Sequence, residues 1–154
     1  GVDPMLVYRH VADKDALLDL VLDRVRAEMT LTQPPPDDLA DLFEAIFVEY
    51  HRVLAAHPNV IPLATRRTDM SQPSGLQHLV DTEVPLDDAV ALYQSLIAFT
   101  VGYSALGAPA AAADWDRFPD PLAERLHDWS GVTFRRTLRL ILAGYGLTPP
   151  TGHT

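Results

Sequence analysis

Apolar residues recur at three- and four-residue steps through most of this chain, the period of helices that each bury one face. The first such stretch is short. Asp3 can cap a helix that begins at Pro4, where a missing amide proton costs nothing, and Met5 to Val11 make about two turns. Asp13 then caps a longer helix with Leu17, Leu18, Val21, Leu22, Val25 and Met29 on one side, running to Thr32. The run Gln33-Pro34-Pro35-Pro36 forces a break. Asp37 or Asp38 caps the most regular helix, with Leu39, Leu42, Phe43, Ile46, Phe47, Tyr50, Val53 and Leu54 on one stripe, and Pro58 ends it. Burying each large side chain contributes ~1.5–3 kcal/mol before entropy, which places this helix at the centre of the core.

Beyond it the pattern is less even. Residues 59–68 predict a short helix interrupted by Pro62, residues 69–75 a loop, and Leu76 to Val84 another short helix stopped by Pro85. Asp87 and Asp88 open a long apolar helix, where the helix dipole favours carboxylates. Residues 107–118 read as a connection. From Pro121 a helical pattern returns and ends in Val132 to Leu147, with Phe134, Leu138, Ile141, Leu142 and Tyr145 on one side and Arg135, Arg136 and Arg139 on the other. Gly146 stops it and Pro149-Pro150 prevent continuation. No run alternates with period two for long enough to make a strand, and there is no internal repeat or heptad run. The fold class is all-α, a helical bundle.

Composition narrows the reading. The 154 residues, 47% of them hydrophobic, suffice for one domain with a real core. The absence of cysteine removes disulfides and thiolate metal sites and favours a cytoplasmic location. A net charge of −9 argues against these residues alone gripping a polyanion. No signal-peptide pattern is visible at the start. Residues 89–109 carry no charge over about the length of a spanning helix. They include Gln94, Ser95, Thr100, Tyr103 and Ser104, and Asp87-Asp88 flank them in place of cations. That is the pattern of a helix buried on every side, and no membrane partner is expected.

The opening run carries a more specific signal. Gly1-Val2-x-Pro4-x-x-Val7-Tyr8-Arg9-His10-Val11-x-x-Lys14-Asp15-Ala16-Leu17-Leu18 is similar to the end of the DNA-binding module in the tetracycline-repressor (TetR) family. There a glycine turn leads into a recognition helix closed by Tyr-x-His-Phe/Val, and Lys-x-x-Leu-Leu opens the helix that links it to the ligand domain. The likeness covers about 18 residues strongly. It implies a TetR-like bundle. Residues 1–12 would be the end of a helix-turn-helix and 13–32 the linking helix. Residues 37–148 would form a ligand-binding and dimerisation domain, with 149–154 a frayed tail. It also implies that roughly 40 residues holding two further DNA-binding helices precede Gly1.

The same resemblance implies three sites. Tyr8, Arg9 and Lys14 correspond to phosphate-contacting positions, a hydroxyl and two cations that hold the helix in register. The plainer reading is packing for Tyr8 and solvated surface for the cations. Pro4, Met5 and Leu6 take the forward face, where Met5 and Leu6 could touch only thymine methyls or other apolar edges. A ligand pocket would draw on Met29, Phe47, Tyr50, His51, Thr65, Arg66, Tyr93, Ile97, Thr100 and Ser104, unless this aromatic stripe is ordinary core. Thr65-Arg66 matches a Thr-Arg pair of tetracycline-binding members, but Pro62, Leu63 and Ala64 stand where those members carry a histidine, which counts against magnesium–tetracycline. A dimer interface would use the small residues Ala91, Ser95, Ala98, Gly102 and Ala105 with Phe134, Leu138, Ile141 and Leu142. A monomeric bundle could bury both faces instead.

The resulting expectation is a ligand-responsive transcriptional regulator, a repressor by the habit of the family. It binds palindromic operator DNA as a homodimer and is released by a small-molecule effector, with Met29 and the linking helix carrying the displacement. The alternative is a helical module that binds a small molecule or partner helix and has no DNA role. The six histidines show no metal-ligand spacing, and no catalytic or phosphate-loop motif is present. No enzyme activity, metal or cofactor is expected.

Overall fold

The computed structural model describes residues 13–66, 84–115 and 117–147. Six α-helices and one 3-10 turn make up these residues, with no strand among them, so the chain is all-α. Asp13 starts α1 (Lys14–Arg26), its Oδ1 accepting the Ala16 amide at 2.8 Å. Asp38, of the two acids considered, caps α2 (Leu39–Ala56) by accepting from the Asp41 amide at 3.0 Å. A 3-10 turn (Pro58–Val60) leads into α3 (Ile61–Arg66). Then come α4 (Leu86–Ala111), α5 (Asp120–His127) and α6 (Gly131–Gly144).

The end of α6 shows why Gly146 stops it. Gly146 sits at φ 79°, which costs an L side chain strain but not glycine. Its amide returns to the Ala143 carbonyl and the Leu147 amide to that of Leu142, each at 3.0 Å. These bonds satisfy carbonyls the helix would leave open, and Leu147 folds back against the core.

Helices α2, α4 and α6 enclose one apolar cluster, built from Phe43 and Phe47, from Ala89, Leu92 and Leu96, and from Phe134, Leu138 and Leu142. A second cluster joins α1 to the body: Leu22 and Val25 pack with Val53, Leu54, Val60, Ile61, Ala64 and Val101. Tyr50 and Ile97 border both clusters.

Four element boundaries differ from the sequence expectation. The linking helix stops at Arg26, short of Thr32, because the chain beyond it bonds to α2. The Thr30 amide donates to Glu49 Oε1 at 2.7 Å, and Arg52 Nη2 reaches the Glu28 carbonyl at 3.1 Å. Pro62 does not interrupt α3; it sits in the first turn, which needs no amide proton. The predicted connection from Gly107 is helical as far as Ala111, and Trp115 Nε1 donates to the Ala110 carbonyl at 2.7 Å. Between α5 and α6 the chain breaks at Asp128, which accepts from the Ser130 amide and the Thr133 hydroxyl. Ser130 then caps α6. The predicted loop at 69–75 and most of the predicted helix at 76–84 lie outside the described residues.

Candidate ligand groove

Helix α4 is not buried on every side. Of its most apolar stretch only 28% is buried, so one long face remains open. Leu92, Leu96 and Thr100 face inward with no exposure, while Gln94, Ala98 and Ala105 are exposed. With Gly102, which is partly exposed, those three fall at steps of three or four residues on one side of the helix. α3 stands beside this face.

Between α3 and α4 lies a groove of about 370 Å³. Thr65 forms one wall. Gln94, Ile97, Ala98, Val101, Gly102 and Ala105 form the floor and the other wall. Among the described residues none of the lining is charged, and only Thr65 and Gln94 carry polar side-chain groups. The Thr65 hydroxyl donates to the Pro62 carbonyl at 2.9 Å, so toward the groove it can only accept. The carboxamide of Gln94 can donate and accept. Such a lining suits a compact apolar molecule with one or two hydrogen-bonding groups.

On the opposite side of α4 a polar unit is set into aromatic packing. The Ser104 hydroxyl donates to the Thr100 carbonyl at 2.8 Å, so Ser104 Oγ accepts from His51 Nδ1–H, also at 2.8 Å. This assigns the imidazole proton to Nδ1. Burial pushes the His51 pKa below its ordinary value, in keeping with a neutral ring. With Nδ1 already protonated, the pair does not activate the serine as a nucleophile. The His51 ring stacks on Phe134 at 4.3 Å between centroids, Phe134 stacks on Phe99 at 5.0 Å, and Tyr103 closes edge-on against His51. Beneath them the Thr100 Oγ1 is fully buried and has no hydrogen-bond partner among the described residues.

The residues predicted for a ligand pocket therefore divide. Thr65 and Ile97 line the groove. His51, Thr100 and Ser104 come together in the buried polar unit. Tyr50 and Met29 pack on the α1 cluster, and Tyr93 packs on the central one. Phe47 is 3% exposed and stacked beside Phe43, so it is core and lines no groove. Arg66 ends α3, and its side chain lies outside the described residues. Sequence reasoning placed the pocket on the Tyr93–Ser104 side of α4. The groove instead opens on the small-residue side, adding Gln94, Ala98, Val101, Gly102 and Ala105. Their spacing was visible, but which face α3 would border was not.

The dimer residues divide as well. Phe134, Leu138 and Leu142 are at most 1% exposed within a single chain. They have no surface to offer a partner, because α6 turns that face onto α2 and α4. Ile141 is half-buried in the same contact. Ala98 is exposed, while Ala91 and Gly102 are partly so. Ser95 Oγ lies 3.4 Å from the hydroxyl of Tyr145, which follows α6. Of the DNA-binding candidates, Lys14 is exposed in the first turn of α1, and Pro4, Met5, Leu6, Tyr8 and Arg9 lie outside the described residues.

Compared with protein-family models, characterised proteins and solved structures, the chain matches none.

Proposed function

We propose that this chain is the ligand-binding and dimerising part of a TetR-like transcriptional regulator, probed by its effector at the α3–α4 groove. The opening run from Gly1 to Leu18 supports the DNA role, with Tyr8, Arg9 and Lys14 on phosphates and Pro4, Met5 and Leu6 toward the bases. A cytoplasmic homodimer that reads a palindromic operator and lets go when the effector binds is the form this proposal takes.

The observation that carries the mechanism is a shared side chain. Val101 lines the groove and also belongs to the cluster that seats Leu22 and Val25 of α1. α3 has the same double position, with Thr65 in the groove and Ile61 and Ala64 beneath α1. A molecule lodged between Thr65 and α4 would alter the spacing of α3 and Val101, and with it the seat of α1. Because α1 leads directly from the opening run, a small tilt would change the separation of two recognition helices. Coupling of this kind typically amounts to ~1–3 kcal/mol, and DNA and effector must weaken each other by the same factor.

The test is a footprint of the encoded protein, with whatever precedes Gly1, on the DNA upstream of its own gene. Protection of a palindrome supports the proposal. No protection at any accessible salt concentration overturns it and leaves the groove to a helical small-molecule binding module with no DNA role.

A further inference from the structure

The last residue of α1 carries a cation into the junction of α1, α2 and α4. The Arg26 side chain is only 33% exposed. Its guanidinium donates to the Tyr50 hydroxyl of α2, and its charge also acts on Tyr93 of α4. Tyr50 packs on both apolar clusters and Tyr93 on the central one, so the three polar ends meet among partly buried side chains. Burial pushes both phenols above the ordinary tyrosine value, and Arg26 pulls each part of the way back. Both hydroxyls therefore keep their protons at neutral pH.

Little in the chain uses this cation up. Among the described residues its ion pair is with Asp23, one turn back, at 3.7 Å through Nη1, and the Asp23 side chain is 62% exposed. An exposed pair of that length holds its partners weakly. A guanidinium has five N–H donors, and a phenol that accepts from it keeps its own O–H to give. The junction thus offers one positive charge and two hydroxyl donors. Among the described residues no carboxylate bears on either phenol. Such a set is matched by an anion that accepts from all three groups.

The groove adjoins this junction. Gln94 follows Tyr93 directly, and Ile97 stands one turn beyond it; both line the groove, and Ile97 packs on the same two clusters as Tyr50. A molecule whose body lies along Ile97 can put its head among Arg26, Tyr50 and Tyr93. One cation balances one charge, and the dianion of a phosphate monoester would leave its second charge unpaired in a partly buried site. A carboxylate fits.

We infer that Arg26, Tyr50 and Tyr93 form a carboxylate-binding subsite beside the α3–α4 groove, whose ligand is a compact, apolar monocarboxylic acid. This rests on the effector-binding reading of the groove above. It adds a charge requirement that the groove lining does not impose, since Thr65 and Gln94 suit an uncharged group equally well. It also fastens the head of the ligand to α1 itself.

The experiment compares acids with their own amides. Benzoate, 2-naphthoate and octanoate, each beside the neutral amide of the same shape, are titrated calorimetrically at about pH 7.5, where the acids are ionised. At least one acid should bind about tenfold or more tighter than its amide. Arg26→Gln should abolish that preference and leave the amide affinity unchanged. Arg26→Lys, which keeps the charge but not the fork, should restore part of it. Tyr93→Phe deletes one hydroxyl and keeps the packing, so it tests the subsite even if Arg26→Gln fails to fold. It should weaken the acid by about three- to tenfold and the amide not at all. Three acids that bind no better than their amides overturn the inference. So does a preference that survives Arg26→Gln, a loss shared equally by acid and amide, or phenyl phosphate binding more tightly than benzoate. Acid and amide binding alike, with both lost in Ala98→Glu, would sink the subsite and leave the groove reading standing.

Discussion

His51 donates from Nδ1 to Ser104 Oγ at 2.8 Å across the α2–α4 contact, with its ring face against Phe134. Burial lowers its pKa below the ordinary 6.5, so the folded state resists a proton that the unfolded chain accepts. The stability this confers is complete above pH 6.5 and is lost as pH falls toward the native value. The melting temperature should therefore drop on acidification from about pH 8 to about pH 5, more steeply than in His51→Gln, where this contribution is absent. Subtracting the two profiles isolates His51 from the other histidines. Parallel profiles would mean that the ring titrates as if exposed.

Thr100 gives a prediction of opposite sign. Its Oγ1 is buried without a partner among the described residues, and an unpaired buried hydroxyl typically costs ~1–3 kcal/mol. Valine has nearly the same shape and no hydroxyl. Thr100→Val should stabilise the protein by about 1 kcal/mol, a rise of roughly 2–4 °C in melting temperature for a chain of this size. A loss of that size would show that the hydroxyl is bonded in solution.

Glu44 holds α6 to α2. It is 9% exposed and accepts from Arg139 through both nitrogens of the fork, with Arg135 Nε at 3.2 Å. The two arginines are more than half exposed and remain hydrated when the carboxylate is removed, so the loss is smaller than for a fully buried pair. Glu44→Gln should cost about 1–2 kcal/mol in denaturant unfolding. A double-mutant cycle with Arg139→Gln should return a coupling of similar size, and additive losses would show that the fork is incidental.

These three sites also mark how far the sequence could be read. The three- and four-residue steps identified α2 as central, and Asp13, Asp38 and Gly146 as helix ends, because those signals are local. Nothing in the spacing singled out Glu44, and Arg135 and Arg139 read only as the side of α6 away from its apolar stripe. Only the packing angle of α6 on α2 joins residues 95 positions apart. The uncharged run in α4 suggested burial all round. Composition gives a helix's apolar content but not which of its faces meet neighbours, and Gln94, Ala98 and Ala105 of α4 stay exposed. The groove borders the small-residue side of α4 and not the Tyr93–Ser104 side that the spacing suggested, since the place of α3 follows from tertiary contact. His51 and Ser104, expected among a larger set of pocket residues, are joined by a hydrogen bond that no spacing rule encodes, with Ser104 donating in turn to the Thr100 carbonyl.

The attachment of α1 can be tested by itself. Its buried positions are Leu22 and Val25, both in its second half, and the polar contacts of Glu28 and Thr30 with Arg52, Glu49 and His57 follow it. Leu22 is 2% exposed, and truncating such a leucine costs ~2–5 kcal/mol if the structure keeps its shape. α1 has a cheaper response, because lifting away exposes little beyond its own two anchors and their facing residues. Leu22→Ala should therefore raise amide exchange through α1 by an order of magnitude or more while leaving α2, α4 and α6 protected. The contacts at Glu28 and Thr30 lie past the end of α1 and should keep their protection. A uniform loss across all helices would mean that α1 is part of the cooperative core. It could not then shift in response to the groove at ~1–3 kcal/mol, and the coupling on which the regulator reading depends would have no moving part.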